Sequence, residues 1–174
     1  NVSESEIYNN IAYNNANGII MRYSDHNSIH DNAFAINSDV CLEMHNSSYN
    51  DINDNDFSWG IRIDAYDEMH ARDSTSQLME SGSDYNIFLN NDFPHGGDGI
   101  FIRVIDGWSC EGNWFEGNDT SYANNNAVES WAGRNYYINN KANHSSYGFW
   151  LGGSDESVLI GNEAAYNGIN PHNA

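Results

Sequence analysis

The sequence predicts an all-β protein whose short strands stack turn upon turn into a parallel β-helix solenoid. Three observations support this: an asparagine that returns at nearly constant spacing, a second strand pattern between the asparagines, and a near absence of helical patterns. A period between about 20 and 50 residues indicates a repeat architecture. The prediction is one single-stranded solenoid of about seven rungs with ~22 residues per rung, which covers residues 1–174 as one domain.

The asparagine repeat supplies the period. Its members are separated by 22, 23, 36, 22, 27 and 22 residues, and each has an apolar residue three positions before it and another two positions after it. In stacked turns these side chains form a ladder, because asparagine tolerates left-handed backbone and its amide bonds the turns above and below. The ladder is therefore interpreted as scaffold. Its predicted members are Asn10, Asn32, Asn55, Asn91, Asn113, Asn140 and Asn162.

A second strand pattern lies between the asparagines. Each run opens with Gly, Asp or Asn, and the first and third residues after the opening are mostly apolar. Alternation with a period of two is typical of a half-buried strand. Parallel stacking would place equivalent residues ~4.8 Å apart, so that the apolar positions form columns in the core. The runs are 18–25, 39–46, 60–67, 99–106, 126–133 and 148–155.

Net charge limits the class of partner. The chain carries a formal charge of −19 and only six lysines and arginines. Nucleic acid is not expected as a partner, because phosphate binding needs a basic surface, and the same reasoning disfavours an anionic membrane surface. No apolar run approaches the length of a membrane span, so membrane insertion is not expected either. An acidic surface fits solvation, divalent cations or neutral ligands.

Phrases such as NNIAYNNANGIIMR, LNNDFPHGGDGIFIR and INNKANHSSYGFWLGGSD resemble the right-handed parallel β-helix repeat proteins of the pectin-lyase-like superfamily. The resemblance covers essentially the whole chain and implies a right-handed parallel β-helix. It also implies a polysaccharide partner and a secreted or cell-surface location. That superfamily includes carbohydrate-binding and sugar-hydrolase modules, lyases, epimerases, periplasmic β-helix proteins and non-catalytic members, so the fold does not choose the chemistry.

One outward column of the second strand pattern predicts a catalytic site. Its fourth position reads Arg22, Glu43, Asp64 and Arg103. Carboxylates on adjacent rungs would lie roughly 5 Å apart, as in paired glycosidase carboxylates, and would raise one pKa. Glu43 and Asp64 are therefore the predicted catalytic pair, and the two arginines are predicted to position the substrate. The alternative is a charge ladder that solvates one face of the sheet.

Two breaks in the period predict loops beside this column. The longer insertion, about 14 residues within the step of 36, is assigned to 67–83, and a shorter one of about five to 118–126. The first is predicted to be either a loop that contacts the substrate or a tolerated surface insertion without a function. Its predicted substrate contacts are Asp67, His70 and Arg72.

Four further residues complete the predicted site. Glu129 stands where other rungs carry an apolar core residue, so it indicates either a functional carboxylate with a raised pKa or a register slip. His95, in a loop before the fourth strand, is a reserve acid or base, or else a solvated residue. The outward second position adds Arg62 and Trp150 as substrate contacts.

No metal-ligand spacing occurs in the sequence, so no defined metal site is predicted. Acidic turns such as 51–56 offer oxygen ligands, which makes calcium the one cofactor considered. Neither terminus resembles a solenoid cap, and this predicts either a fragment of a longer chain or self-association through uncapped ends.

Three functions fit the sequence. The first is an extracellular glycoside hydrolase or polysaccharide lyase, with a neutral or weakly charged glycan favoured because basic residues are few. The second is a non-catalytic module that binds a glycan or a cell surface. The third is a structural solenoid that stacks end to end into filaments.

Overall fold

The computed structural model describes residues 1–60 and 75–168. Within these residues the chain forms thirteen short β-strands, and no helix is long and apolar enough to cross a membrane. The strands are β1 (Glu6–Tyr8), β2 (Ile19–Arg22), β3 (Ser28–His30), β4 (Val40–His45), β5 (Asp51–Asn53), β6 (Thr75–Glu80), β7 (Ile87–Leu89), β8 (Asp98–Ile102), β9 (Trp114–Glu116), β10 (Asn126–Ser130), β11 (Tyr136–Ile138), β12 (Tyr147–Leu151) and β13 (Val158–Ile160).

The strands alternate between two parallel sheets. The odd-numbered strands form a seven-stranded sheet and the even-numbered strands a six-stranded sheet. A third line of isolated parallel bridges runs from Ile11 to Glu163. Where no insertion intervenes, paired residues are 21 to 23 positions apart, as in Val128–Phe149, Ile7–Ile29 and Ile29–Ile52. The predicted parallel β-helix is confirmed.

The core consists of columns of apolar side chains, one residue per turn. In the odd-numbered sheet the fully buried rings stack, with centroids 4.7 Å apart for Phe88–Phe115 and 5.3 Å apart for Phe115–Tyr137. The even-numbered sheet contributes Met44 and Met79 at paired positions. Burial of such side chains is the main stabilising term in a fold whose turns contact only their neighbours.

Two asparagine ladders, rather than one, run along the solenoid. In each ladder the side-chain amide donates to the carboxamide oxygen of the next turn over 2.9–3.1 Å. The predicted place of Asn113 beside Asn91 and Asn140 is wrong: Asn118 occupies it, and Asn113 belongs to the second ladder. The first ladder comprises Asn10, Asn32, Asn55, Asn91, Asn118, Asn140 and Asn162. The second comprises Asn27, Asn50, Asn86, Asn113 and Asn135.

The first insertion precedes strand β6. Asn37 and Val40 are three residues apart, whereas their register partners, Gly60 and Thr75, are 15 apart. The extra residues therefore fall between Gly60 and Thr75. The predicted range of 67–83 is wrong in its second half, because backbone pairing with β4 makes that part a strand of the even-numbered sheet.

The second insertion lies between Ile102 and Asn113. These residues are 11 positions apart, whereas their register partners in the preceding turn, Met79 and Asn86, are seven apart. The prediction at 118–126 is wrong because its period is measured from Asn113, which belongs to the second ladder. The inserted residues project a short turn beside the even-numbered sheet, closed by a bridge between residues 105 and 108.

Candidate functional site

On the outer face of the even-numbered sheet, one column of side chains has a different residue type at each successive turn. We call this column the outer stripe. In most strands the residue just before the stripe member is buried, so the side chain of the stripe member points away from the core. Six members at ~4.8 Å spacing span about 24 Å along the solenoid. They are Arg22, His45, Glu80, Arg103, Trp131 and Gly152.

An imidazole held between two carboxylates lies at the centre of the stripe. Nδ1 of His45 lies 2.6 Å from Oε1 of Glu80, and Nε2 contacts Oε1 of Glu43. A ring nitrogen that carries a proton donates it to the carboxylate beside it. The His45 side chain is 21% exposed, which leaves it within reach of a ligand.

Each carboxylate also contacts an arginine. Nη2 of Arg22 lies 3.4 Å from Oε1 of Glu43, and Nε of Arg103 contacts Oε2 of Glu80. Asn17 donates to the other oxygen of Glu43 over 2.9 Å. The two carboxylates are 13% and 7% exposed, and a carboxylate so deeply placed is stable only when paired and hydrogen-bonded. The pairing meets that requirement.

An open groove of about 410 Å³ adjoins this cluster. The second insertion supplies one wall of the groove, with Asp106 and Trp108. Two aromatic residues that line the groove, Trp108 and Tyr23, are 68% and 61% exposed. The groove is lined by Arg22, Tyr23, His45, Asn46, Ser81, Asp106 and Trp108.

A second pair of carboxylates lies two turns further along the same sheet. Asp98 accepts the backbone N–H of Asn126 over 2.8 Å, and the Asn126 side chain donates to Oε2 of Glu129 over 2.5 Å. The other oxygen of Glu129 accepts the indole N–H of Trp131 over 2.8 Å. Burial raises the pKa of Asp98 to about 7, with the charge of Glu129 adding to the rise and the Asn126 hydrogen bonds opposing it.

The predicted catalytic column is wrong in register, because Arg22 pairs with His45 and not with Glu43. Arg22 still contacts Glu43, and Arg103 contacts Glu80. The position beside Glu43 on the next turn belongs to Leu78, so the expectation of a carboxylate there is wrong, because β6 pairs with β4. Five predicted residues lie outside the described residues: Arg62, Asp64, Asp67, His70 and Arg72.

Of the two alternatives for Glu129, the structure shows the register slip. Val128 takes the core position, paired with Ile100 and Phe149, and Glu129 lies outward between Phe101 and Trp150. In β10 the inward-facing positions begin one residue later than the sequence pattern suggests, so each side chain of the strand lies on the opposite face from the one expected. Trp150 is outward and 39% exposed.

His95 lies away from the outer stripe. It belongs to a surface stack on another corner, with ring centroids 4.3 Å from Trp59 and 5.1 Å from Tyr122. Sequence reasoning missed His45 and Glu80 as site residues. The signal that could have found His45 is its i+2 relation to Glu43, which places both on one face of a strand.

The family described as periplasmic copper-binding protein (NosD) matches residues 1–93, which is more than half of the 174 residues. The chain belongs to the NosD family. Among solved structures, the A-module of the mannuronan C-5 epimerase AlgE6 from Azotobacter vinelandii is similar, with a TM-score of 0.61 and 11% identity. The alignment covers 93% of this chain and 52% of that one, so this NosD-family chain spans about half the length of the module. At this identity the likeness shows the fold alone. No curated protein sequence matches.

The described part of this NosD-family chain does not fit a copper ion. Copper prefers thiolate, thioether and imidazole ligands, but Cys41 and Cys110 are buried in the core of different turns. Burial raises their thiol pKa to about 11 and about 12, which disfavours the thiolate that binds metal. Both ring nitrogens of His45 contact carboxylates. No group of three or more His, Cys, Asp or Glu among the described residues is arranged to hold a metal.

Proposed function

We propose that the outer stripe and its adjoining groove bind a polysaccharide, and that His45 with Glu43 and Glu80 performs acid–base chemistry on it. The observation that carries this proposal is the imidazole between two carboxylates beside a groove with exposed aromatic walls. Ligand sites of this kind combine apolar walls with a few convergent polar groups. The fold shared with a mannuronan epimerase supports a carbohydrate as ligand.

The cluster suits proton transfer. Hydrogen bonds link His45 to Glu43 and Glu80, so the three side chains can share protons. A carboxylate can accept a proton from a sugar or a water molecule, and the cluster can return a proton to the leaving oxygen. Hydrolysis and elimination, the two reaction classes that the sequence left open, both need such a transfer. A positioned acid or base typically contributes about 10²- to 10⁴-fold to a rate.

The charge balance of the site favours a neutral or weakly charged glycan. Arg22 and Arg103 each contact one of the carboxylates, so their charges are already balanced within the cluster. The chain's formal charge of −19 adds a long-range repulsion of polyanions. A polyuronate such as mannuronan is therefore expected to bind more weakly than the matching neutral mannan.

The family description supports an extracytoplasmic location, since NosD proteins are described there as periplasmic. This agrees with the secreted or cell-surface location expected from the sequence.

A non-catalytic glycan-binding module is the second candidate. The observation that favours it is that each ring nitrogen of His45 already contacts a carboxylate, so the polar groups of the cluster are paired with one another. In that case the stripe would hold a chain of sugars and leave its bonds unchanged.

The test uses β-1,4-mannan, mannuronan and xylan, with binding measured by affinity electrophoresis and products by reducing-end and ultraviolet assays. We expect the neutral polymers to bind better than mannuronan, and Glu80→Gln to lower the rate of product formation about 10²- to 10⁴-fold. Glu116→Gln is the matched control, because Glu116 lies on the odd-numbered sheet.

Each other outcome has one reading. Binding without products that Glu80→Gln or His45→Gln weakens would establish the non-catalytic module. Full activity in both variants would remove the cluster from the mechanism. If none of the three polymers bound, the proposed function would be wrong.

A further inference from the structure

The geometry points to Trp131 as a stacking platform for a pyranose ring at the far end of the outer stripe, with Glu129 as the residue that positions it. This inference rests on the proposed function and adds a second sugar subsite to it. Three observations carry it: the place of Trp131 in the stripe, the way its ring is held, and the engagement of Glu129.

Trp131 continues the stripe that contains the acid–base cluster. Its backbone N–H donates to the carbonyl of Ile102 over 2.9 Å, which places it one turn beyond Arg103. Three steps of ~4.8 Å separate it from His45, or about 14 Å along the solenoid axis. The side chain is 40% exposed. A ligand that lies on both residues must therefore be an oligosaccharide that runs along the axis.

The Trp131 ring is held by contacts on three sides. Its indole N–H donates to Glu129 over 2.8 Å. Its ring meets Trp150 edge-on, with centroids 4.7 Å apart and an interplanar angle of 85°. It also lies over Gly152, where a Cβ atom would come within 3.2 Å of two ring carbons. A glycine at this position of the stripe therefore leaves room for the ring.

These contacts leave an aromatic surface that is fixed before any ligand arrives. The polar N–H is already used, so what remains open to a ligand is the π surface, which attracts the C–H groups on the apolar face of a pyranose. A ring that is held in advance loses little rotamer freedom on binding, and this favours affinity. An immobile, partly exposed Trp that lies in line with a groove suits a sugar subsite.

Glu129 acts through Trp131. Its two carboxylate oxygens accept hydrogen bonds from Trp131 and from Asn126, and the residue is only 6% exposed. Neither oxygen is left to face a ligand. The structure thus assigns Glu129 a positioning role, in place of the catalytic role that the sequence suggested.

The opposite sheet offers a matched control. Trp114 donates its indole N–H to Glu116 over 2.9 Å, two residues away in sequence, as Trp131 does to Glu129. Trp114 is 36% exposed but lies on the odd-numbered sheet, away from the outer stripe. Its ring stacks on Tyr136 instead of lying over a glycine.

The experiment follows the indole N–H signals of ¹⁵N-labelled protein by NMR, with each signal assigned by a Trp→Phe variant. The probes are mannobiose, mannohexaose and a mannuronate hexamer. We expect mannohexaose to shift the signals of Trp131 and Trp150 and to leave that of Trp114 unchanged. Trp131→Ala should weaken mannohexaose binding about tenfold and change mannobiose binding at the His45 groove little.

Two further variants test positioning. Glu129→Gln keeps a hydrogen-bond acceptor for the indole and should weaken mannohexaose binding less than Glu129→Ala does. Gly152→Ala should shift the Trp131 ring slightly and weaken mannohexaose binding less than Trp131→Ala does. The controls Trp114→Ala and Glu116→Ala should bind as the unmodified protein does. The indole signal of Trp59, which stacks on His95 away from the outer stripe, reports whether each variant keeps its fold.

The outcomes separate the two proposals. If mannohexaose bound in a way that depended on Glu80 but the Trp131 signal did not move, the subsite would be wrong and the proposed function would stand. If the Trp131 signal moved and Glu80→Gln had no effect on binding or products, the Trp131 subsite would be supported and the proposed role of the acid–base cluster would be wrong. If none of the probes bound, both would be overturned.

Discussion

The asparagine ladders and the outer stripe run along the same solenoid but differ in one respect. The ladders repeat the same residue at every level, and its members bond to one another. The stripe changes residue at every level, from arginine to histidine, glutamate, arginine, tryptophan and glycine. In a repeated column the side chains use their hydrogen-bonding groups on one another. A varied column instead presents different side chains to the solvent at each turn. We therefore expect the ladders to contribute stability, whereas recognition of a ligand by the outer stripe is the function proposed above.

The largest expected effect on stability comes from the ladder. Asn91 is fully buried, donates to Ile52 and Asn118, and accepts two hydrogen bonds from Asn55. Asn91→Ala leaves buried backbone and amide groups unpaired, so we expect a loss of about 3–5 kcal/mol of unfolding free energy. Asn10→Ala, at the exposed first level, should cost less than about 1 kcal/mol. Urea unfolding of both variants measures the difference, and equal losses would contradict the scaffold interpretation.

The next largest expected effect is a dependence of stability on pH that arises from Asp98. The pKa of Asp98, about 7, lies above the ordinary 3.8, so between these values the folded protein holds a proton that the unfolded chain releases. Stability therefore falls as pH rises through this window. From pH 5 to pH 7 we expect a loss of roughly 2 kcal/mol that Asp98→Asn abolishes.

Urea unfolding at several pH values tests the Asp98 prediction. His30, whose pKa is raised by Asp31 and Glu6, is present in both proteins and cancels in the comparison. A pH dependence that is the same with and without Asp98 would show that this carboxyl does not govern it.

An exception inside the repeated core sharpens the comparison. Gln77 is fully buried between Leu42 and Ile100, and neither polar atom of its side-chain amide has a hydrogen-bond partner among the described residues. Gln77→Leu restores the apolar column and should raise the unfolding free energy by about 1–3 kcal/mol. The reciprocal Leu42→Gln should lower it. A destabilised Gln77→Leu protein would mean that this amide has a structural partner.

The smallest expected effect lies on the surface. Arg134 contacts Glu111 and Glu156, each over 2.9 Å, but its side chain is 61% exposed. Exposed ion pairs contribute little to stability because water and salt screen them, so Arg134→Ala should leave the unfolding free energy nearly unchanged, the more so at high salt. A loss comparable to that of Asn91→Ala would show that surface charges stabilise this solenoid as much as the ladders do.

Much of the fold follows from the sequence, and less of the site does. The asparagine spacing predicted the parallel solenoid, whereas the functional roles of Glu43, Arg22 and Arg103 stay predictions. Glu80 was missed because the long insertion hid the true start of β6. His45 was missed because the outward alternation was followed along the strand only as far as Glu43. Calcium binding and end-to-end self-association stay predictions.

What the sequence alone determined is the architecture, because each turn carries its own asparagines and apolar positions, and these signals are local and repeated. What only the tertiary structure decided is the register of the turns that carry insertions. Register depends on backbone pairing between residues more than 20 positions apart, and a shift of one residue moves a side chain to the other face of the sheet. For that reason Glu129 faces outward to hold Trp131, and Glu80, not a residue of 60–67, lies beside His45.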